Sequence, residues 1–506
     1  MIERVDIENL KSFSGRQEVA LAPLTVVFGP NSAGKSTLLH SLAVLKQTLE
    51  PLRTGLDVIE PPLALHGDLV DLGSFPTCVT GHDRSKELFL GLRFRDEQNL
   101  PRREVIGDRP LYAGLGFRYD EEREAATLTR SILGDADNEV TFVTKPTPKS
   151  VGEPFVGTTS FRVERGSRER LGALIGGRIG DLSAGRGSMS DATQPPLNHW
   201  LALQTRLASR LKDSKPLMFY GRGFFPLFPE VELLTPGDAP AGWFPFQIFD
   251  ELWGMRERAI ADLIFGLAYL GPLRAAPKRF ELLSNELPTS VGTSGQHTGV
   301  LLARDEDLEK EVNAWLERLG IGYCLSVRHV TGDQLNVELG DLLVTTLRDL
   351  RNDLAVTPQD VGFGISQLLP VIVQLLVGKS RTICVEQPEI HIHPRLQSEV
   401  ADLLIDSTGP GRANQVIVET HSEHLMLRLQ RRLRERDPEW LTPEHIAVLY
   451  VDMDELGDTH ITHLRLDANG YFLDEWPHGF FSERVQELFG AGGTKPWTGD
   501  RSEPVP

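Results

Sequence analysis

One short segment constrains the fold of this chain more than any other: GPNSAGKST at residues 29–37. It follows the apolar run LTVVF, which is typical of a buried strand. After it, leucines recur at the spacing of one helix face, namely Leu38, Leu39, Leu42, Leu45 and Leu49. The sequence therefore predicts a strand, a glycine-rich loop and a helix in direct succession.

This segment satisfies the pattern G-x-x-x-x-G-K-[ST]. Glycines let backbone N–H groups wrap phosphate oxygens, and the helix N-terminus favours their negative charge. In this pattern Lys35 reaches the β- and γ-phosphates and Ser36 binds Mg²⁺. We predict a nucleotide site with Mg²⁺, whose contact residues are Gly29, Pro30, Asn31, Ser32, Ala33, Gly34, Lys35, Ser36 and Thr37.

The α/β pattern returns from about residue 350. Two apolar runs, TICVE and QVIVET, alternate with predicted helices near 365–377, 394–406 and 422–435. Such alternation predicts a mostly parallel sheet covered by helices. We expect the two ends of the chain to share this sheet.

The middle of the chain has a different character, with charged and Gly/Pro-rich runs between short strand-like pieces. We interpret it as a large α+β insertion and divide the chain into four parts. Residues 1–90 and 346–440 form the two halves of the α/β unit, residues 91–345 form the insertion, and residues 441–506 form a C-terminal segment.

The strand TICVE ends in an acidic residue and is followed by a second one, in the sequence ICVEQPEIHIHP. Glu386 at the strand tip is placed to hold Mg²⁺ through water, and a polar residue just beyond it to polarise an attacking water. The second strand, QVIVET, is followed by His421, which can contact a γ-phosphate and report its presence. The alternative for the Glu386 segment is a core strand that ends in a polar turn. The alternative for His421 is a histidine that is simply packed or solvated.

A second glycine-rich segment, VGFGISQ, leads into a predicted helix. Gly362, Gly364 and Ser366 would place backbone amides at its N-terminus, which makes a second anion site. Two such sites in one chain suggest that the second meets the nucleotide of another chain. The alternative is a tight packing turn that glycine permits.

Together these motifs resemble the ABC-type ATPase superfamily, in the branch of the RecF, SMC and OLD (overcoming lysogenisation defect) proteins. The resemblance is carried by the opening MIERVDIENLKSFSG with LTVVFGPNSAGKSTLLHSL, and by ICVEQPEIHIHP with VIVETHSEHL. It implies ATP between two heads, with residues 29–37, Glu386 and His421 from one chain and residues 362–366 from the other. The unit would be at least a dimer.

Further segments resemble a bacterial subfamily of AAA-family ATPases with an uncharacterised C-terminal segment. They are VDLGSF at 70–75, YLGPLRAAPKRFE at 269–281, VGFGISQLLP at 361–370 and EWPHGFFSERVQELF at 475–489. Such ATPases resemble components of defence systems against phage and plasmids. The resemblance implies a separately encoded nuclease or other effector as partner.

The chain departs from the superfamily pattern at the acidic strand. Where the superfamily has Asp followed by a catalytic Glu, this chain has Glu386 and Gln387. A neutral amide cannot serve as a general base. Two interpretations stay open: hydrolysis is slow, or Glu389 acts as the base. VGFGISQ also departs from the usual LSGGQ, and Asp71 is a candidate Q-loop residue by position only.

Charge and composition exclude some classes of partner and site. A net charge of −18 argues against a surface that coats nucleic acid, so DNA contact would be local. Basic candidates lie in PLRAAPKRF and in LRLQRRLRERD, where a solvated charged helix explains the arginines equally well. These candidates are Arg274, Lys278, Arg279, Arg428, Arg431, Arg432, Arg434 and Arg436.

Metal and nuclease alternatives are weaker. His391, His393, His421 and His424 with Glu389 lack a closed zinc pattern, and three scattered cysteines support neither zinc nor a disulfide framework. After His421 only 85 residues follow, which argues against a Toprim nuclease. For VDMDELGD, with Asp452 and Asp454, we favour a strand that runs into an acidic turn.

The predicted function is an ATPase that dimerises on ATP and acts as a switch in anti-phage defence or DNA maintenance. Two alternatives are kept: an ATP-held oligomeric scaffold with little turnover, and an OLD-type ATPase coupled to DNA cleavage. A transporter ATPase is disfavoured by the large insertion and by the lack of a membrane-spanning stretch. No apolar signal sequence opens the chain, so we expect a cytoplasmic protein.

Overall fold

The computed structural model describes most of the two predicted halves and part of the predicted insertion. The described residues are 1–54, 63–96, 110–135, 139–145, 159–172, 218–221, 228–229, 255–282, 287–330 and 342–477. Most of the motif at 475–489 lies outside them.

Helices and strands alternate from residue 363 to residue 453, whereas three strands precede the first helix. The strands are β1 (Ile2–Glu8), β2 (Gln17–Ala20), β3 (Leu24–Phe28), β4 (Leu88–Phe94), β5 (Leu111–Asp120), β6 (Ala125–Asp135), β7 (Val140–Lys145), β8 (Thr159–Val163), β9 (Met218–Gly221), β10 (Phe228–Pro229), β11 (Ala268–Leu270), β12 (Glu281–Leu282), β13 (Tyr323–Val330), β14 (Leu342–Asp349), β15 (Ala355–Val356), β16 (Thr382–Glu386), β17 (Gln415–Glu419), β18 (Ile446–Met453) and β19 (Thr459–Leu464). The helices are α1 (Lys35–Thr54), α2 (Phe75–Cys78), α3 (Met255–Phe265), α4 (Thr298–Arg304), α5 (Glu306–Arg318), α6 (Phe363–Leu376), α7 (Pro394–Thr408) and α8 (Glu423–Glu435).

The central sheet joins the two ends of the chain. Its described strands run in the order β11-β16-β17-β3-β18-β19. All neighbouring pairs are parallel except β18 with β19. The predicted shared parallel sheet is thus confirmed, and so are the helices α6, α7 and α8 and the strands TICVE and QVIVET, the second of which ends at Glu419.

Helices cover both faces of this sheet, which explains why β3, β16 and β17 are buried at every residue. Alternate side chains belong to different cores because successive strand residues point to opposite faces. Cys384 and Ile417 lie in the core with the leucines of α1. Ile383 and Val416 lie in the core with α6, α7 and α8.

Two antiparallel sheets complete the described architecture. One runs in the order β10-β9-β8-β7-β6-β5-β4-β1-β2, and it shares the core of α1. The smaller one has the order β12-β14-β13, and β15 pairs with β14. It packs against α4 and α5, and its last strand precedes α6 in the chain. The N-terminal residues thus contribute β3 to the central sheet and β1, β2 and β4 to the nine-stranded sheet. This mixed α/β fold agrees with the predicted fold class.

The division of the chain into four parts stays a prediction. The first antiparallel sheet crosses the predicted limit at residue 90, because β4 spans it. Strands β18 and β19 of the predicted C-terminal segment lie in the same sheet as β3. Among the described helices, none is long and apolar enough to cross a bilayer.

Candidate nucleotide site

The loop of residues 29–37 lies at the C-terminal end of β3, and α1 begins within it at Lys35. Gly29 has a φ of 147° and Gly34 a φ of 102°, both in the region that favours glycine. A Cβ atom on Gly29 would lie 2.0 Å from the carbonyl oxygen of Val451. The loop therefore keeps its shape by close backbone packing against β18, which only glycine allows.

The far strand β19 also supports the loop. The hydroxyl of Thr459 donates a hydrogen bond to the carbonyl oxygen of Ala33 over 2.9 Å and lies 2.6 Å from the hydroxyl of Ser12. A Cβ atom on Gly34 would approach the Thr459 Oγ1 atom to 2.9 Å. The C-terminal strands thus fix the loop from outside the motif itself.

Lys35 is only 4% exposed, and its ammonium is held inside the loop. Its Nζ donates to the carbonyl oxygens of Gly29 and Pro30 over 3.0 and 2.7 Å. Burial lowers the pKa of Lys35, and the negative charges of Glu419, Glu386 and Glu389 oppose this shift. The lysine is therefore positioned at the loop interior, where this motif holds phosphate.

Ser36 contacts an acid that the sequence analysis missed. Its hydroxyl donates a hydrogen bond to Glu419 Oε2 over 2.7 Å. Glu419 ends β17, is buried, and pairs across the sheet with Glu386. Burial raises the pKa of Glu419, and the charge of Glu386 adds to this. An acid at the tip of QVIVE, matching Glu386 at the tip of TICVE, was the available signal.

Glu386, the predicted Mg²⁺ residue, is held by two other side chains. Its Oε1 atom accepts a hydrogen bond from the hydroxyl of Tyr269 over 2.7 Å and lies 3.0 Å from His40 Nε2. Tyr269 lies on β11 and His40 on α1. Burial and the Glu386 carboxylate raise the pKa of Tyr269, so its hydroxyl stays protonated and donates.

Gln387 has a backbone φ of 45°, which is uncommon for a residue with a side chain. Its N–H donates to the carbonyl oxygen of Glu419 over 2.7 Å. Arg274 donates to the carbonyl oxygens of Gln387 and Glu386 over 3.0 and 2.7 Å. Arg274 is 6% exposed, and burial lowers its pKa to about 10. It belongs to this site and not to an exposed basic face.

Glu389 links the acidic strand to the predicted switch histidine. Its Oε1 atom accepts a hydrogen bond from the backbone N–H of His421 over 2.7 Å. Burial raises the pKa of Glu389, while the hydrogen bonds from His421 and Thr420 oppose the shift. Burial, together with the charge of Lys35, lowers the pKa of His421, which favours the neutral imidazole. The two strand-end turns are therefore connected through one buried carboxyl group.

The second glycine-rich segment begins α6, with Gly362 at its N-cap. A Cβ atom on Gly364 would lie 2.5 Å from the carbonyl oxygen of His391, and Ser366 donates its hydroxyl to the carbonyl oxygen of Pro358 over 2.9 Å. Both residues thus have packing roles within the chain. A Cβ atom on Gly362 would meet nothing within 4 Å. Packing does not explain the glycine at this position.

The predicted basic faces are largely paired with acids. Arg428 and Arg432 both bond to the buried carboxylate of Asp402. Of the others, Arg431 pairs with Glu435, Arg434 lies over the ring of Tyr471, and Arg279 pairs with Asp360. Most of these side chains thus have local partners in the described structure.

Asp452 lies near the end of β18, and Asp454 lies in the turn that follows the strand. Asp454 Oδ1 accepts hydrogen bonds from the N–H groups of Leu456 and Asp458. This confirms the predicted strand and acidic turn. Asp71, the positional Q-loop candidate, pairs with His66 over 2.9 Å. Within the described ranges, no group of three His, Cys, Asp or Glu residues is arranged to hold a metal ion.

Residues 246–427 match the family described as "AAA domain, putative AbiEii toxin, Type IV TA system". The matched range contains Glu386, Glu389 and His421. No curated protein sequence matches the chain. With the phosphate-binding loop, the family match supports a P-loop ATPase.

Several solved structures are similar over most of the chain, all at low identity. An SMC head bound to the C-winged helix domain of ScpA has a TM-score of 0.41 at 11% identity, covering 92% of this chain and 98% of that one. An SMC head with an extended coiled coil, bound to the C-terminal domain of ScpA derived from Pyrococcus furiosus, has a TM-score of 0.40 at 11% identity, covering 92% and 96%. The SMC head domain from Thermotoga maritima has a TM-score of 0.34 at 10% identity, covering 92% and 99%.

Proposed function

We propose that this chain is a Mg²⁺-dependent ATPase whose heads dimerise on ATP and act as a nucleotide-dependent switch. One observation carries the proposal: side chains of the chemistry that ATP requires converge at the C-terminal ends of β3, β16 and β17. Lys35 and Ser36 lie at the loop. Glu419 ends β17, which neighbours β3, while Glu386 and Glu389 lie at and just beyond the end of β16, the next strand. In open α/β sheets, ligands bind just beyond the C-terminal ends of the strands.

The donor set fits Mg²⁺. This ion prefers oxygen ligands and is held in nucleotide sites by one or two carboxylates together with phosphate oxygens and water. Ser36, Glu386 and Glu419 supply a hydroxyl and two buried carboxylates on adjacent strands. These residues would hold the ion, which when bound neutralises charge on the β- and γ-phosphates.

The loop and Lys35 would bind the phosphates. The Lys35 ammonium has two carbonyl partners that phosphate oxygens would replace. Burial lowers the pKa of Lys35, and the surrounding carboxylates, which would favour its charged form, oppose that shift. Loss of this group would remove most of the affinity for the β- and γ-phosphates.

The turn of Gln387 and Glu389 sets the rate of hydrolysis. Gln387 can orient a water molecule but cannot take its proton. Glu389 is buried and accepts the N–H of His421, so it positions the histidine loop as well as serving as the candidate base. We propose slow turnover, with Glu389 coupling the state of the acidic turn to His421.

Dimerisation would complete the site through α6 of a second chain. Gly362 is free of packing constraints at the N-terminus of α6, where backbone N–H groups can approach an anion. Ser366 would have to release the carbonyl oxygen of Pro358 to reach a phosphate. Nucleotide binding is thus coupled to a local rearrangement of the segment before α6.

The role we propose is in anti-phage defence or DNA maintenance, with a separately encoded effector or nuclease and with DNA as a further partner. The matched family's description names a toxin of a toxin–antitoxin system, which supports a role in conflict between bacteria and mobile elements. The scaffold alternative is favoured by one observation, the neutral Gln387 beside Glu386. Cleavage of DNA by this chain is not supported by Asp454, which is used in a turn.

The dimer is tested by mixing two inactive variants. Lys35→Ala removes the loop cation, and Gly362→Arg would obstruct the α6 N-terminus while leaving the loop intact. In a composite site, the mixture regains one of two sites and hence part of the wild-type turnover, whereas each variant alone gives none. If the mixture stays inactive while both variants are folded, sites are not shared between chains.

A further inference from the structure

Three side chains around Glu386 form a closed triangle. The Tyr269 hydroxyl donates to Glu386 Oε1 over 2.7 Å, His40 Nε2 lies 3.0 Å from the same oxygen, and the His40 Nε2 and Tyr269 Oη atoms are 3.1 Å apart. The imidazole tautomer with a proton on Nε2 satisfies both of its contacts. Two donors therefore converge on one oxygen of one carboxylate.

The triangle joins three separate elements at the edge of the site. Glu386 ends β16, Tyr269 lies on the neighbouring edge strand β11, and His40 lies on α1. All three side chains are largely withdrawn from solvent, since those of His40 and Glu386 are 19% and 4% exposed and Tyr269 is buried. In such surroundings hydrogen bonds to a charged group contribute more than at the surface.

His40 also connects the triangle to the phosphate loop. It lies four residues after Ser36 in α1, so the two side chains lie on the same face of the helix. Ser36 contacts Glu419, and His40 contacts Glu386. One turn of α1 is thus attached to both strand-end carboxylates.

This arrangement limits what Glu386 can do. Its Oε1 atom has two donors, which leaves Oε2 as the oxygen available to a cation or its bound water. We propose that Tyr269 and His40 are positioning residues that fix Glu386 for Mg²⁺, an inference that rests on the proposed function.

The test is the Mg²⁺ concentration that half-saturates binding of a non-hydrolysable ATP analogue. Tyr269→Phe and His40→Leu each remove a donor, and each should raise this concentration about tenfold, as expected for one hydrogen bond to a charged group. His40→Gln keeps an N–H donor and should stay within about twofold of the wild type. Affinity for the analogue in EDTA should not change in any of them.

Tyr112→Phe is the matched control. Tyr112 also donates to a buried carboxylate, Asp6, over 2.6 Å, but in the antiparallel sheet away from the loop. Like Tyr269→Phe, Tyr112→Phe should lower the melting temperature, but it should not change the Mg²⁺ dependence. This separates loss of a buried hydrogen bond from loss of positioning.

The inference is overturned if Tyr269→Phe and His40→Leu destabilise the protein like the control but leave the Mg²⁺ dependence unchanged. It is also overturned if His40→Gln is as impaired as His40→Leu. A wild-type protein that binds the analogue equally with Mg²⁺ and with EDTA would instead contradict the proposed function, and this inference with it.

Discussion

Ser36 donates its hydroxyl to Glu419 over 2.7 Å, across 383 residues of sequence. The contact ties the first turn of α1 to the end of β17, two residues before His421. It places a second carboxylate beside Glu386, in a chain whose acidic strand continues with the neutral Gln387. Glu419 thus supplies an acid from the adjacent strand.

Replacing Glu419 with Gln tests this role. We expect the variant to need about tenfold more Mg²⁺ for nucleotide binding, because a charged ligand is lost. Its melting temperature without nucleotide should not fall, since burial and Glu386 both disfavour the ionised carboxylate. Titration of Mg²⁺ and thermal unfolding measure the two effects. A destabilised variant with an unchanged Mg²⁺ requirement would assign Glu419 a purely structural role.

Stability should depend on pH through Glu419 and Glu389. The pKa of each carboxyl group is raised above its ordinary value of 4.5, so the folded chain holds protons that the unfolded chain releases. Their contribution to stability is full below that value and is lost as pH rises through the raised pKa values. Mg²⁺ with ATP analogue binds the ionised form. The increase in melting temperature that it causes should therefore be larger at about pH 7.5 than at about pH 5. An increase that does not vary with pH would contradict this.

Arg274→Ala should destabilise the acidic turn. It removes a buried guanidinium that bonds to the carbonyl oxygens of Glu386 and Gln387, at a cost of about 2 kcal/mol in the free energy of unfolding. Turnover should fall as well, because the Gln387 backbone loses its support. Arg279→Ala is the control: its pair with Asp360 is exposed and should contribute little to stability. Equal effects of both changes would contradict the assigned role of Arg274.

The two glycines that begin α6 should respond differently to alanine. Gly364→Ala would place a Cβ atom 2.5 Å from the carbonyl oxygen of His391 and should cost about 1–3 kcal/mol in stability. Gly362→Ala meets no atom within 4 Å and should fold normally. It should nevertheless weaken ATP-dependent dimerisation, measured by light scattering with Mg²⁺ and ATP analogue. Dimerisation that survives Gly362→Ala undiminished would argue against a phosphate contact there.

The elements around the site could be predicted from the sequence because their signals are local. Apolar runs and helical leucine spacing located β3, α1, β16 and β17, and the loop motif located Lys35 and Ser36. The partners that complete the site could not be found in this way. Tyr269 meets Glu386, and Thr459 meets Ala33, across 117 and 426 residues. A single sequence gives periodicity along the chain, but it does not show which distant side chains will converge on one carboxylate.

The same limit applies to Arg274 and to the arginines of α8. Their clustering left two interpretations open, a basic face for DNA and a solvated charged surface. Arg274 is instead buried on the backbone of the acidic turn, and Arg428 and Arg432 bond to Asp402. Whether such an arginine is exposed or paired depends on contacts with other elements of the fold. The spacing of arginines along the sequence does not show those contacts.

The central claim is tested most directly by ATP turnover of the purified chain with Mg²⁺, with Lys35→Ala as the background. We predict slow turnover above that background, lost in EDTA and further reduced in Glu419→Gln. Nucleotide binding without turnover above the Lys35→Ala background would contradict the ATPase and leave the ATP-held scaffold.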